Sequence, residues 1–593
     1  MANVVHRWGH TFHIPVMGTG FMIDAPLRVA KYGISSVLSL VDDILIEQMR
    51  KLHAQREGEP YEEIASTDDD ARARRITAYL DLIDRVVRRQ VAALRASPFE
   101  PGSEITRYYE MLPDGPQADQ YRAMLATEDP AERLRQQAAL RALHVPGTID
   151  VNIMSKGDRD AYRDGEKLPQ RFSDALAALR GFAQSTLESS IVFSAGLNPR
   201  LFTYTAEFPD FFPDAQGRLK KKIVLKVSDF HSAAVQGRFL AKRGLWVSEF
   251  RIESGLNCGG HAFATKGLLM GPILEVFQQR KAELLEQLHG VYSKSLGKLG
   301  HTIGPEPAPV RITAQGGIGT ADEDRLLREH YEADGTGWAT PFLLVPEVTN
   351  VDDRHLRLLG EAHGDDVFLS DSSPFGMPFW NLRTSASEDA RRRRIAEGHP
   401  GSPCFKGFVR LFNTEFTPTP ICTASRQYQK LKIEQIEREG LSDALRESVL
   451  AKSCICHDLA GSTTLKYDID PKATPSICCG PNIVNFSRVA TLDEMVGHIY
   501  GRTSLLNGTC RPHMFVREVE LYVDYLRDQV RKHRAGLLSI TPDYVAEFKK
   551  NMCDGIDHYR QLAQHHIAEP QRSAMLDALA VQQQALRDIP DLP

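Results

Sequence analysis

Two glycine-rich segments have the composition of phosphate-binding loops. The first, residues 314–319, contains Gly316 and Gly317, and the second, residues 336–342, contains Gly337. Glycine has no Cβ atom, so backbone N–H groups in such segments can converge on an anion. A single segment of this kind, taken alone, is explained by a turn that binds no ligand. Two of them, each following a short apolar run, predict a phosphorylated ligand.

A third glycine segment adds a group that can move protons. Gly259 and Gly260 let the backbone pass close to a flat ligand, and His261 follows them directly. An imidazole at such a site exchanges protons near neutral pH, so His261 is a candidate acid or base. The alternative is a core histidine bonded to a carbonyl group. Cys258 is a candidate nucleophile or redox partner, or else a small packed residue.

Short apolar strands alternate with helical patterns and would position these segments. Such alternation is typical of βαβ units, and eight parallel strands close most economically into a barrel. We therefore predict an α/β fold with a TIM-type (β/α)8 barrel over residues 10–345, whose active site lies at the C-terminal strand ends. The predicted strands span residues 12–17, 36–41, 148–154, 190–194, 222–227, 246–252, 310–314 and 335–339.

Two regions exceed a minimal barrel. Residues 56–146, between strands two and three, are predicted to form a helical insertion that packs as a cap; apolar residues recur there at spacings of three and four between Ile76 and Leu94. Residues 348–593 are predicted to form a mostly helical extension. Within it, the aromatic and Met side chains of residues 372–379 either line an apolar pocket or pack as an ordinary loop.

The charge balance argues against nucleic acid as a partner, and the distribution of apolar residues argues against a membrane. The chain has 593 residues, with 72 basic against 77 acidic ones and a formal net charge of -5, so no overall field attracts nucleic acid. The basic runs 220–222 and 391–394 are interpreted as solvated faces. No apolar run of membrane-spanning length and no signal-like N-terminus is present, so we expect a cytoplasmic protein without membrane contact.

Five segments together resemble a known family of FMN-dependent barrels. The family comprises the nitronate monooxygenases (2-nitropropane dioxygenase-like) and the flavin-type enoyl-acyl carrier protein reductases, and the resemblance spans roughly residues 10 to 345. The chain is similar to this family in the order and spacing of five segments. They are Gly18-Thr19-Gly20 after strand one, Asn152 at the end of strand three, Cys258-Gly259-Gly260-His261, Gly316-Gly317-Ile318, and Ala339-Thr340-Pro341-Phe342-Leu343 with Glu347.

The resemblance implies a bound FMN and a set of residues that hold it. These cofactor-binding candidates are Gly18, Thr19, Gly20, Asn152, Lys226, Gly259, Gly260, Gly316, Gly317, Gly337, Ala339 and Thr340, and His261, Lys226 and Cys258 are the catalytic candidates. Lys226 lies in an otherwise apolar strand, where a cation needs a partner or a solvated end; facing the flavin, it would stabilise the reduced ring. Cys258 stands where the family usually has Ala, and Ala339 stands where the family usually has Gly.

The activity implied by the resemblance is that of an FMN-dependent oxidoreductase acting on a small or acyl organic substrate. A nitronate monooxygenase-like reaction with oxygen and an enoyl-reductase-like reaction with NAD(P)H as donor both remain open. The alternatives are a non-catalytic flavoprotein, acting as a redox sensor or electron-transfer subunit, and a barrel with another phosphorylated cofactor. An acyl-carrier or electron-transfer partner and homo-oligomerisation are also left open.

Five of the nine cysteines fall between residues 422 and 479. Thiolates gathered from several loops are what a [4Fe-4S] cluster or a zinc ion requires. We predict Cys422, Cys454, Cys456 and Cys478 as the ligands, with His457 or Cys479 as substitutes. Plain buried thiols are the alternative, and the spacing contains no Cys-x-x-Cys pair.

Overall fold

A closed barrel of eight parallel strands forms the centre of the chain. The computed structural model describes residues 9–154, 158–163, 165–257, 266–301, 308–410, 413–486, 488–508 and 511–592. The barrel strands are β1 (Phe12–Ile14), β2 (Ser35–Ser39), β3 (Ile149–Ile153), β4 (Ser189–Phe193), β5 (Lys221–Val227), β6 (Val247–Glu253), β7 (Arg311–Gln315) and β8 (Gly335–Gly337). Each strand pairs with the next, and β8 pairs with β1 through Thr336 and Phe12. The predicted TIM-type fold is confirmed.

The inside of the barrel contains both polar and apolar side chains. Glu249 accepts a hydrogen bond from Thr313 (2.7 Å) and pairs with Arg251 at 2.7 Å. Valines from β2, β4 and β5 pack with Val16 into a small apolar cluster; they are Val37, Val192 and Val224. Val16 lines the cavity described below, so this cluster forms its floor.

Helices surround the barrel in the usual alternation. They are α1 (Pro26–Val29), α2 (Asp43–Glu57), α3 (Ala71–Ala96), α4 (Glu104–Met111), α5 (Pro116–Ala126), α6 (Pro130–Leu143), α7 (Asp174–Gln184), α8 (Pro199–Thr205), α9 (Phe230–Ala241), α10 (Met270–Leu299) and α11 (Ala321–Glu329). Helices α3 to α6 occupy the predicted insertion. However, α3 packs against α2 and α7, and its apolar stripe from Ile76 to Leu94 joins the main core. Helix α3 is thus part of the barrel's helical layer rather than a separate cap.

The extension is mostly helical and shares the main core with the barrel. It contains α12 (Asp353–Gly360), a two-stranded ribbon (Val367–Ser370 and Phe379–Leu382), α13 (Ala386–Ala396), α14 (Arg426–Glu439), α15 (Asp443–Leu450), α16 (Ile455–Lys466), α17 (Leu492–Ile499), α18 (Met514–Arg534), α19 (Pro542–His566) and α20 (Gln571–Arg587). Helix α16 lies close to Gly20, where a Cβ atom would be 3.2 Å from Ala460 Cα and 2.5 Å from Thr463 Oγ1. In the described part of the chain, no helix is long and apolar enough to cross a membrane.

The basic run 220–222 is not wholly a solvated face. Strand residues alternate in direction, so Lys221 points toward the surrounding helices and is 1% exposed, whereas Lys220 and Lys222 are exposed. Lys221 Nζ donates to the carbonyl oxygens of Ser185 (3.0 Å) and Leu187 (2.5 Å). Burial lowers the pKa of Lys221 to about 8. The solvated interpretation was therefore wrong for this residue.

Candidate active site

A cavity lies at the C-terminal ends of strands β1 to β6, where barrel active sites are found. It holds about 1250 Å³ of empty space, counting the part that opens to solvent. Its barrel side includes Gly18, Thr19, Asn152, Lys226 and Glu253, and its other side is built by Phe375, Met377, Phe379, Phe408, Ile455 and Leu459 of the extension. The predicted aromatic and Met residues of 372–379 do line a pocket, and it is the barrel's own.

Two polar atoms at this cavity are buried without a partner. Thr19 Oγ1 and Asn152 Oδ1 make no hydrogen bond in the described part of the structure. Leaving a buried polar atom unsatisfied costs about 1–3 kcal/mol. Asn152 Oδ1 needs a donor, and the Thr19 hydroxyl takes either a donor or an acceptor. Both residues were predicted from the motif pattern, and both line the cavity.

The polar wall of the cavity contains an ion pair. Lys226 Nζ lies 3.0 Å from Glu253 Oε1, and the side chains are 9% and 14% exposed. Glu253 Oε1 also accepts hydrogen bonds from Asn257 Nδ2 at 2.9 Å and from Gln315 Nε2. Glu253 is thus the partner that an apolar strand requires for Lys226. Sequence reasoning missed its role, although an acid at the end of β6 was a usable signal.

The β7 glycines lie behind the cavity wall. Gly316 and Gly317 have φ values of +109° and +84°, and a Cβ on Gly317 would be 2.6 Å from Leu256 Cδ1. The extension covers this loop, since Arg511 Nη2 donates to Gly317 O at 2.7 Å and Asn482 Nδ2 donates to the same oxygen. The residues that line the cavity do not include these glycines. Their role in phosphate binding stays a prediction.

The strand-eight candidates are also away from the cavity lining. Gly337 faces the barrel interior, where a Cβ would be 2.6 Å from Gln315 Cβ. Ala339 and Thr340 are buried at the start of the 3-10 helix Thr340–Leu344. Gly20 serves the close approach of α16 described above rather than the cavity. The structure therefore gathers Gly18, Thr19, Asn152 and Lys226, and it separates the β8 residues and Gly20 from them.

Arg511 of the extension was not predicted from the sequence. Its guanidinium is 5% exposed and pairs with Glu323 at 2.6 Å beside the β7 loop. Its Nε atom is buried without a partner in the described residues. No motif marks this arginine, because the contact joins residues almost two hundred positions apart in the chain.

Four of the predicted site residues cannot be placed. Cys258, Gly259, Gly260 and His261 lie outside the described residues. The last described residue before them, Asn257, lines the cavity.

The cysteines predicted as metal ligands fall into two groups. Cys422, Cys454 and Cys456 share an apolar cluster with Phe408, whereas Cys478 packs in another cluster with Phe379 and Leu459. Among the described residues, no group of three or more His, Cys, Asp or Glu side chains is arranged to hold a metal ion. Among the described residues the predicted four-ligand set is therefore not brought together, because Cys478 packs in a different cluster from the other three cysteines.

The cluster thiols differ in acidity. Burial raises the pKa of Cys422 to about 12. Cys454 Sγ lies 3.9 Å from Cys456 Sγ. Their hydrogen bond raises the pKa of Cys454 and lowers that of Cys456.

Comparison with known proteins gives little beyond this geometry. No family model matches the chain, and no curated protein matches it. Among solved structures, the chain is similar to the enoyl reductase domain of MlnA from the macrolactin biosynthesis cluster of Bacillus amyloliquefaciens, with 12% identity and a TM-score of 0.38. That match covers 90% of this chain and 100% of the other. A likeness this distant carries no argument about function, and the assignment to the TIM-type barrels depends on the closed eight-stranded sheet alone.

Proposed function

We propose that this chain is an FMN-dependent oxidoreductase whose reaction takes place in the cavity at the barrel mouth. The observation that carries the proposal is the pair of unpartnered polar atoms, Thr19 Oγ1 and Asn152 Oδ1, at the strand ends where the motif pattern implies a flavin. Apolar walls with a few convergent polar groups are typical of sites for small molecules and cofactors.

The residues present suit such a cofactor. Asn152 Oδ1 would accept from an N–H group, and the Thr19 hydroxyl would bond a neighbouring polar atom. Lys226 has three N–H donors and uses one on Glu253, so it can also donate to an oxygen in the cavity. Gly18, with φ +55°, places no side chain in the space. When bound, FMN would supply hydride and single-electron transfer.

The chain's own residues would supply orientation, charge and exclusion of water. The ammonium of Lys226 would stabilise negative charge that develops in the cavity, while Glu253 holds it in place. Phe375, Phe379 and Leu459 of the extension shield the site from solvent and suit an organic substrate. These apolar walls favour an enzyme over a non-catalytic flavoprotein.

Binding of FMN is the first test. We expect the purified protein to be yellow and to release FMN on denaturation, or to bind added FMN with quenching of flavin fluorescence. Asn152→Ala should weaken binding about tenfold, since a hydrogen bond to a buried atom is worth roughly 1–2 kcal/mol. Colourless protein that takes up no FMN would end the proposal.

The choice of electron acceptor needs a separate test. Turnover with NAD(P)H under anaerobic conditions would indicate a reductase of an activated double bond, with an acyl-carrier protein as a natural carrier of the substrate. Oxygen consumption with an acidic C–H compound would indicate a monooxygenase. His261→Ala should keep the flavin but lose roughly a hundredfold or more in turnover in either case, because positioned acids and bases contribute on that order. Unchanged turnover would remove His261 from the reaction.

A further inference from the structure

Four cysteines surround a small void next to the barrel cavity. Cys404, Cys422, Cys454 and Cys456 all line this void. Cys456 also lines the barrel cavity, whereas Cys454 does not. One thiol of the group is thus shared between the large cavity and the cysteine cluster.

Cys454 and Cys456 are already in contact. Their sulfur atoms are 3.9 Å apart. Cys454 is the N-cap residue of α16, and Cys456 lies in the first turn of that helix. Helical geometry separates Cα atoms two positions apart by about 5.4 Å, which falls within the range of about 4.4–6.8 Å found in disulfides. The backbone spacing therefore suits a bond between these two sulfurs.

Cys456 lies in the first turn of a helix, where thiols are more reactive. The first turn of a helix leaves backbone N–H groups without an intrahelical partner, and cysteines at helix N-termini are more reactive for this reason. In the described part of the chain, no third His, Cys, Asp or Glu side chain completes a metal site with this pair.

We propose that Cys454 and Cys456 are a redox-active dithiol that reduces low-molecular-weight disulfides entering through the barrel cavity. Cys456 gives its proton to solvent, and its thiolate attacks one sulfur of the small disulfide. A mixed disulfide forms, and the first small thiolate leaves and takes up a proton.

The second step uses the neighbouring thiol. Cys454 loses its proton and attacks Cys456 Sγ, so the Cys454–Cys456 bond forms and the second small thiolate leaves. The protein loses two electrons and two protons, and the small disulfide gains them as two thiols. A small thiol in excess reverses both steps. The reaction needs no flavin, although the small disulfide enters through the cavity that we propose for FMN.

The test uses the full chain, reduced, freed of reductant and incubated with cystamine without oxygen. We expect peptide mapping to find a Cys454–Cys456 disulfide in most molecules, with loss of two hydrogen atoms and release of two cysteamines per chain. Cysteamine in excess should restore both thiols. Flavin content is recorded on the same samples, so that a failure of FMN binding is seen separately.

Variants assign the two roles. Cys454→Ser should stop at a mixed disulfide on Cys456, because the resolving thiol is gone, whereas Cys456→Ser should leave Cys454 unmodified. Cys422→Ser, in the same cluster, is the matched control and should retain the disulfide. The proposal is overturned if both thiols of the wild-type chain stay open to alkylation after cystamine, if Cys422 replaces either partner, or if the purified protein holds stoichiometric zinc or iron on these thiols.

Discussion

Replacing Thr19 by valine should change stability and ligand affinity in opposite directions. The substitution keeps the branched shape and removes the hydroxyl, whose oxygen is buried and unpartnered in the described structure. Without a ligand, an unsatisfied buried hydroxyl costs about 1–3 kcal/mol. Thr19→Val should therefore stabilise the ligand-free protein by about 1 kcal/mol, measured by urea unfolding.

The same substitution should weaken binding of FMN. The variant cannot form the hydrogen bond that the ligand would supply, and its ligand-free state no longer contains an unsatisfied buried hydroxyl. Together these effects amount to about 1.5 kcal/mol, or roughly a tenfold increase in Kd. Fluorescence titration of the ligand-free protein with FMN measures this change in Kd.

Thr11→Val is the matched control. Thr11 Oγ1 is also buried and unpartnered in the described structure, but it lies just before β1, at the opposite end of that strand from Thr19. This variant should be stabilised without a change in Kd. The reasoning is refuted if Thr19→Val is no more stable than the wild type, or if it binds FMN as tightly as Thr11→Val does.

Three further perturbations test other contacts. Lys226→Met should destabilise the protein by about 3–5 kcal/mol in urea unfolding, because it leaves the Glu253 carboxylate buried without its cation. The double variant Lys226→Met, Glu253→Gln should recover most of this loss. Equal destabilisation of the single and double variants would contradict the ion pair. Burial raises the pKa of Glu518 to about 7, above the ordinary value of 4.5. The unfolded chain therefore releases this proton first, and stability should fall by about 3 kcal/mol as pH rises from about 4.5 to 7; urea unfolding at pH 5 and pH 8 measures this slope, and Glu518→Gln should remove it. Gly20→Ala should lower the free energy of unfolding by about 1–3 kcal/mol, because the new methyl group presses on Thr463 and Ala460. Gly290→Ala is the control: nothing lies within 4 Å of its new atom, so it should stabilise α10 by about 0.5–1 kcal/mol. Similar thermal unfolding of both variants would argue against tight packing of α16 on the barrel mouth.

The fold was predictable because parallel strands are buried on both faces and appear as short apolar runs. All eight strands lie where those runs predict, but β1, β2, β3 and β8 are shorter than predicted. Strand β1 ends at Ile14, since Pro15 has no N–H to donate to the sheet, and β8 ends at Gly337, shortly before a 3-10 helix that starts at Thr340.

The candidate site was predictable only in part. Thr19, Asn152 and Lys226 follow from local motifs at strand ends, and the structure places all three at one cavity. Their role as cofactor ligands stays a prediction. Leu459 and Arg511 reach the barrel from the distant extension, and no local pattern encodes such contacts. The cysteine cluster was found by its density, but the separation of Cys478 depends on how α16 packs.

The two-sided cavity has a consequence for the order in which the protein is made. Its barrel wall ends at Asn257 and its other wall includes Leu459. At about 5–20 residues per second, translation delivers the second wall roughly 10–40 s after the first. During that interval the apolar strand ends have no cover. The strand ends are therefore fully covered only after the later helices leave the ribosome, and a ligand can be enclosed only once the chain has been made through Cys478.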